Sequence, residues 1–297
     1  MNVRKIVVLG LKGVALTIIM FLCYTVASVA SGISATSPAP DPTSVDAGSV
    51  LWATLVVSLL ETAVLTYVIL RSRWSGWKLV GAIFLAFYGL NTVVQQIESI
   101  VYLSHRLPPG MLPRLFAMGA LTGGLFSPLA VLILGKMRRE PAPQTPNLRL
   151  VMPIGEWAWK LAAIAAAYLV LYFGFGYFVA WKNPAVQAYY GGTDPGSFLA
   201  QMAQNWTTMP WFYFPLQILR ALLWTAFALP VIRMHKGRAW EVSLAVALLF
   251  AVWSSQLLLP NPFMPEAVAR AHLVETVPST FIFGGLVGGL LSGTRRR

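Results

Sequence analysis

Residues 269–291 read ARAHLVETVPSTFIFGGLVGGLL. A mostly apolar run of this length is enough to cross the hydrocarbon core of a bilayer, which takes about 20 residues in helical form. The run opens with Arg270, His272 and Glu275 and closes on Gly284, Gly285, Gly288 and Gly289. Ionisable groups inside such a segment are costly, so their presence points to function. The stretch therefore says two things at once: the solvent of this chain is lipid, and a polar site lies toward one end of its last span.

The rest of the chain has the same character. Hydrophobic residues make up 57% of it and charged residues 11%, with a mean hydropathy of +0.67, which sets it apart from soluble globular domains. Eight runs qualify as spans, over residues 6–30, 50–70, 78–103, 115–136, 158–181, 213–233, 240–260 and 270–291. The expected fold is all-α, a polytopic transmembrane helical bundle with no room for a soluble domain.

The formal net charge of +12 would suggest nucleic acid in a soluble chain, but the placement of the basic residues speaks for topology instead. With the N-terminus inside, the cytoplasmic segments carry Arg4, Lys5, Arg71, Arg73, Lys78, Lys136, Arg138, Arg139, Arg149, Lys160, Arg233, Lys236, Arg238, Arg295, Arg296 and Arg297. The other side has only Arg106, Arg114, Lys182 and Arg270. The positive-inside rule then places both termini in the cytoplasm of a bacterial-type inner (plasma) membrane, with four loops outside. The basic loops would touch anionic headgroups. The partners implied are the lipid bilayer, an amphiphilic or small-molecule substrate and, through exposed glycines, a second copy of the chain; nucleic acid is not among them.

Arg4 and Lys5 before an apolar run, with Ser28, Val29 and Ala30 after it, imitate a signal peptide. The run is much longer than the roughly 7–15 residues of a signal core, so span 1 is expected to stay. Cys23, the one cysteine, excludes an intrachain disulfide and a thiolate cluster. Residues 37–49, with Asp41 and Asp46, read as an exposed loop.

Glu61 sits near the middle of span 2. In span 3, Asn91, Gln95, Glu98, Tyr102 and His105 follow one another at helical steps of four and three, which keeps them on one face. Such a stripe should face protein or a water-filled cavity, because lipid offers no hydrogen-bonding partner. Gly119, Gly123 and Gly124 in span 4 offer surfaces for close helix contact, and Pro128 a kink.

The two halves of the chain share a pattern. Trp77, which opens span 3, answers to Trp240, which opens span 7; Pro-rich turns at 107–113 and 259–265 precede spans 4 and 8; basic runs at 136–139 and 295–297 close each half. Four spans per half preserve direction, which describes a parallel 4+4 repeat. On this reading residues 1–139 form the first half, 140–157 a cytoplasmic linker, and 158–297 the second half. Asn91 and Thr92 then match Ser254 and Ser255. The outer loop 181–211 contains an amphipathic, aromatic stretch, 198–211, that suits a cap lying on the interface.

Arg220 enters span 6 about two turns from its outer end and needs a carboxylate or an outward path, with Glu98 and Glu275 as the candidates. In span 8, His272, Glu275 and Ser279 share one stripe. His235, in a basic loop, is expected to be solvated. The candidate catalytic residues are Glu98, Glu275 and His272, and the candidate substrate-binding residues are Arg220, Gln95, Asn91, Tyr102, Ser279 and Glu61. Imidazole and carboxylate together also suit a divalent metal such as zinc, with His272, Glu275, Glu98 and His105 as ligands. The same groups serve equally for proton handling, anion binding or a structural hydrogen-bond cluster.

Neither a GxSxG nucleophile elbow nor a phosphate-binding glycine loop is present. Three function classes follow. The first is an enzyme of the outer leaflet, with a one-sided polar cleft, acting on a lipid-linked or amphiphilic substrate. The second is an ion- or proton-coupled transporter with its site between the halves, with Glu61 and Lys12 extending the path inward. The third is a structural or assembly protein without catalytic activity.

Overall fold

The computed structural model describes residues 3–33, 46–138, 147–208 and 210–293, side chains at 210–212 excepted. The expected segment 37–49 falls within these only from Asp46 onward and the linker only from Asn147 onward; Asp41, Arg139, Arg295, Arg296 and Arg297, and the side chain of Trp211, lie outside them.

Among the described residues the chain is all-helical. Eight helices are long and apolar enough to cross a membrane: α1 (Val3–Ala30), α2 (Ala47–Leu70), α3 (Gly76–Leu103), α4 (Met111–Ile133), α5 (Ile154–Ala180), α8 (Tyr213–Met234, within a helix that starts at Pro210), α9 (Ala239–Leu258) and α10 (Glu266–Ser292). Two shorter helices, α6 (Pro184–Tyr190) and α7 (Phe198–Thr208), lie between α5 and α8. The protein is a multi-pass helical membrane protein, and each expected span coincides with one of these helices to within a few residues.

The helix surfaces show why lipid is the right solvent. Along α1, Val7, Leu11, Val14, Ile18 and Leu22 form a stripe that is more than half exposed, while Leu16, Met20, Cys23, Tyr24 and Ala27 are buried on the other side. Water would penalise such a stripe; acyl chains do not.

The chain divides into two compact units, Met1–Asn147 with Phe227–Arg238, and Leu148–Ala226 with Ala239–Arg297. In the first, α1 packs on α2 and α4, and α3 packs on α4. Gly119 is what lets α4 approach α3: a Cβ there would stand 1.9 Å from Thr92 Oγ1. At one end of this unit the loops are stitched by backbone bonds, Arg73 N to Met234 O (2.6 Å) and Lys236 N to Arg71 O (2.7 Å). His235 is therefore not solvated as expected. It is 1% exposed, packs edge-on against Tyr67 and accepts from Gly237 N through Nδ1 at 2.9 Å.

In the second unit the tightest pair is α9 with α10. Added Cβ atoms at Gly284 and Gly288 would lie 2.6 Å from Val246 O and from Ser243 Cα, and Ser243 Oγ donates to Gly285 O at 2.5 Å. The glycine run that closes the last span is thus a helix-packing surface of small residues.

Three spans leave regular α geometry. α3 widens into π turns at Gly89–Val93 and Ser99–Leu103, α5 does so at Gly176–Ala180, and α9 tightens into a 3-10 segment at Trp253–Leu258. Such departures redirect side chains and free backbone carbonyls, and π turns gather at functional sites.

Candidate functional sites

Each unit carries one polar centre built around a carboxylate. In the first, Glu61 of α2 is fully buried. Its Oε2 accepts from Tyr24 Oη of α1 at 2.7 Å and its Oε1 from Asn91 Nδ2 of α3 at 2.8 Å. The π turn at Gly89–Val93 carries Asn91, and Gln95 turns its amide back on it, Nε2 donating to Leu90 O at 3.0 Å.

The stripe expected along α3 is accordingly divided among four environments. Asn91 belongs to the Glu61 centre and Gln95 serves the bulged backbone. Glu98 and Tyr102 are half-buried about two turns and three turns further on. His105 lies beyond the end of the helix, exposed, with its Nε2 accepting from its neighbour Arg106 Nε at 3.2 Å. An extra residue in each π turn rotates everything after it, which is why even steps of four and three do not give one continuous face.

The second centre is on α10. His272 Nδ1 lies 2.8 Å from Glu275 Oε2, and His272 Nε2 lies 3.2 Å from Tyr190 Oη at the end of α6. A carboxylate accepts, so Nδ1 carries the proton and Nε2 is left to accept from the tyrosine hydroxyl. The side chains of His272 and Glu275 are 20% and 11% exposed. Glu275 Oε1 faces Gly176, where a Cβ would come within 3.5 Å. Ser279, expected on the same stripe, gives its hydroxyl to Thr276 O at 3.2 Å.

The loop that brings Tyr190 to His272 is fastened at several points. Asn183 caps α6 by accepting from Ala185 N at 2.9 Å, and Gly191 ends the helix in a left-handed conformation (φ 72°). Tyr189 Oη donates to Phe263 O at 2.7 Å. Lys182 Nζ meets Asp194 Oδ2 at 2.6 Å and donates to Tyr177 Oη at 3.0 Å. The hydrogen bond to Asp194, followed by that to Tyr177, raises the Lys182 ammonium above its ordinary value. The Lys182 bond, followed by Gly196 N–H, holds the Asp194 carboxyl below its own. α7 rests on α5 through Phe198, whose ring stacks on Phe178 at 5.6 Å.

Arg220 of α8 is 2% exposed. Its Nη1 donates to Gln217 Oε1 at 2.9 Å, and the guanidinium lies 5.9 and 5.7 Å from the rings of Tyr168 and Tyr172. Among the described residues, no group of three or more His, Cys, Asp or Glu side chains comes together to hold a metal. The expected set of His272, Glu275, Glu98 and His105 therefore does not form a cage. Catalytic zinc takes three protein ligands, and the His272–Glu275 pair supplies two. An open surface cleft of about 530 Å³, lined by Val179, Asn183, Glu266, Arg270 and Val274, lies along a different stripe of α10 from the pair.

Tyr24 and Tyr190 are the members of these centres that sequence spacing did not single out. Both join their carboxylate or imidazole across a tertiary contact, for which helical periodicity has no signal. Compared with protein families, with curated proteins and with solved structures, the chain has no match.

Proposed function

We propose that this protein is a membrane-embedded enzyme that performs acid–base chemistry on a lipid-linked or amphiphilic substrate in the outer leaflet. The observation that carries the reading is His272, held between Glu275 and Tyr190. Glu275 fixes the imidazole tautomer and stabilises the imidazolium once formed, as the orienting carboxylate does in base–carboxylate pairs generally. His272 Nε2 is the proton-accepting atom. Tyr190, partly exposed, passes its own proton to Nε2 or yields that position to a substrate hydroxyl. Imidazole is suited to this because its ordinary pKa lies close to neutral pH.

The outer-leaflet assignment rests on the charge asymmetry of the loops, which also supports a bacterial-type inner membrane with both termini inside. α7, with Leu199 and Trp206 exposed, suits a helix lying in the interface beside the entry to the site. Glu98 stays a candidate of the first unit, and Arg220, flanked by tyrosines, a candidate for the substrate's anionic group.

A second reading, a cation-coupled transporter, is favoured by the fully buried Glu61, since carboxylates within spans commonly carry coupling ions. The corresponding positions of the 4+4 pattern, Asn91 and Ser254, both lie where a span departs from α geometry, which supports the repeat.

The test is a comparison of membrane extracts, by mass spectrometry, from cells lacking the protein and from cells carrying it as wild type or His272→Ala. The enzyme reading expects one class of amphiphile to accumulate both in the deletion and in the variant. Full complementation by a normally abundant His272→Ala protein would exclude it and favour an assembly role.

A further inference from the structure

We propose that the second unit holds a buried site for the anionic head, phosphate or carboxylate, of an amphiphile, formed by Gln217, Arg220 and Trp224 of α8 with Trp253 of α9. The proposal rests on the enzyme reading only in taking that amphiphile as the substrate. The site itself stands on the hydrogen-bond donors of these four side chains.

Gln217, Arg220 and Trp224 follow one another at steps of three and four, which puts them on one face of α8. They are 0%, 2% and 1% exposed. Arg220 Nη1 donates to Gln217 Oε1 at 2.9 Å, which fixes the orientation of the amide and leaves Nε2 as a donor beside the guanidinium. That Nε2 has no hydrogen-bond partner among the described residues, and neither has Trp224 Nε1 or Trp253 Nε1, although all three atoms are buried. The Trp253 ring lies 6.0 Å from that of Trp224, at the residue where α9 passes from α into 3-10 geometry.

The donors decide the ligand. An indole N–H and an amide NH2 group donate, and a guanidinium adds five further N–H donors and a positive charge. Unpaired donors are costly in an apolar interior, so the group that satisfies them is an acceptor. Phosphate and carboxylate oxygens make the strongest bonds to such donors.

The surroundings give the ligand its apolar part. Tyr168 and Tyr172 flank the guanidinium, and Phe250 packs on Trp224 with ring centroids 4.6 Å apart. Tyr172 and Trp253 are half-buried, so the cluster reaches the helix surface through aromatic side chains. Arg220 stands about two turns into the span that starts at Tyr213, a depth at which a head can enter while its chain stays among lipid tails. A few placed polar groups in a mostly apolar wall between helices are what small-molecule sites in bundles are made of.

The experiment is proton–nitrogen NMR of the full-length protein, isotope-labelled at its tryptophans, in dodecyl maltoside micelles. It is titrated with dodecyl phosphate, with dodecanol and with inorganic phosphate. The chain has 11 tryptophans, and the two indole resonances of interest are those lost in Trp224→Phe and in Trp253→Phe. We expect dodecyl phosphate to move both downfield and to saturate, and dodecanol to leave them in place. Inorganic phosphate, which lacks the chain, should need at least about tenfold higher concentration. Gln217→Glu keeps the acceptor for Arg220 and puts a negative charge where the amide donor was, so it should weaken dodecyl phosphate binding by about tenfold or more. Trp253→Phe, which keeps a ring and loses the N–H, serves if the glutamate variant fails to fold, and should weaken binding severalfold, read at the Trp224 resonance. His272→Ala should bind as wild type does while losing turnover, so the anion site and the acid–base reading fail separately. Inorganic phosphate as effective as dodecyl phosphate would overturn the assignment to an amphiphile. Indole resonances that neither phosphate moves, or an undiminished affinity in Gln217→Glu, would overturn the site.

Discussion

Glu61 and Glu275 are both carboxylates drawn into the apolar part of a helical span, and they are held in opposite ways. Glu61 is fully buried and joined by neutral donors from two other helices, Tyr24 and Asn91. Glu275 is joined by an imidazole one turn away on its own helix, which in turn meets a tyrosine from a loop helix. The difference separates two uses of the same group. Donors from neighbouring helices in a dry core fix a carboxylate's place. An imidazole at a partly exposed edge gives it a proton-transfer partner whose charge can change near neutral pH.

The comparison is tested most strongly by removing the imidazole. His272→Ala is expected to lower turnover by about 10²–10⁴-fold, the usual contribution of a positioned acid–base group, while lowering the unfolding transition in mixed micelles less than Glu61→Ala does. A large loss of stability with little loss of turnover would merge the two centres into one structural class.

Glu61→Ala should do the reverse. It removes the carboxylate that accepts from Tyr24 Oη and Asn91 Nδ2, two hydrogen bonds in a buried setting, and the loss should be on the order of 3 kcal/mol, read as a shift in the same unfolding transition. Glu61→Gln, which keeps an acceptor for Tyr24, should cost less.

Packing gives a smaller contrast. Gly284→Ala places a Cβ 2.6 Å from Val246 O and is expected to cost about 1–3 kcal/mol. Gly124→Ala, with nothing within 4 Å of the added atom, should leave the transition where it is.

The smallest effect concerns the loop that presents Tyr190. The Asp194 carboxyl is held low and the Lys182 ammonium high by their mutual bond. The contribution of Asp194 is therefore full above the ordinary carboxylate range and is lost as pH falls through its lowered value. That of Lys182 is full below the ordinary lysine value and is lost as pH rises through its raised one. Amide exchange over residues 191–196 should quicken in acid, and Asp194→Asn should remove that acid dependence. Both groups are exposed to solvent, so overall stability should hardly change.

Much of the fold was legible because spans announce themselves by length and apolarity, and the glycines of the last span by their spacing. The ladder from Asn91 to His105 was legible as polar but not as divided, because π turns are set by tertiary fit and leave no periodic mark. The basic neighbours of His235 predict a solvated ring. The backbone bonds from Arg73 to Met234 and from Lys236 to Arg71 enclose it instead. Of the second centre, His272 and Glu275 were legible as a helical i, i+3 pair, while Tyr190 depends on how the loop between α5 and α8 is tied down.

The most direct measurement uses the amphiphile that accumulates in the absence of the protein as substrate for purified protein in nanodiscs. Turnover is compared for wild type, Glu275→Gln and Glu61→Gln. The account predicts a loss of roughly 10²-fold or more for Glu275→Gln and near-normal turnover for Glu61→Gln; a fully active Glu275→Gln protein would contradict it.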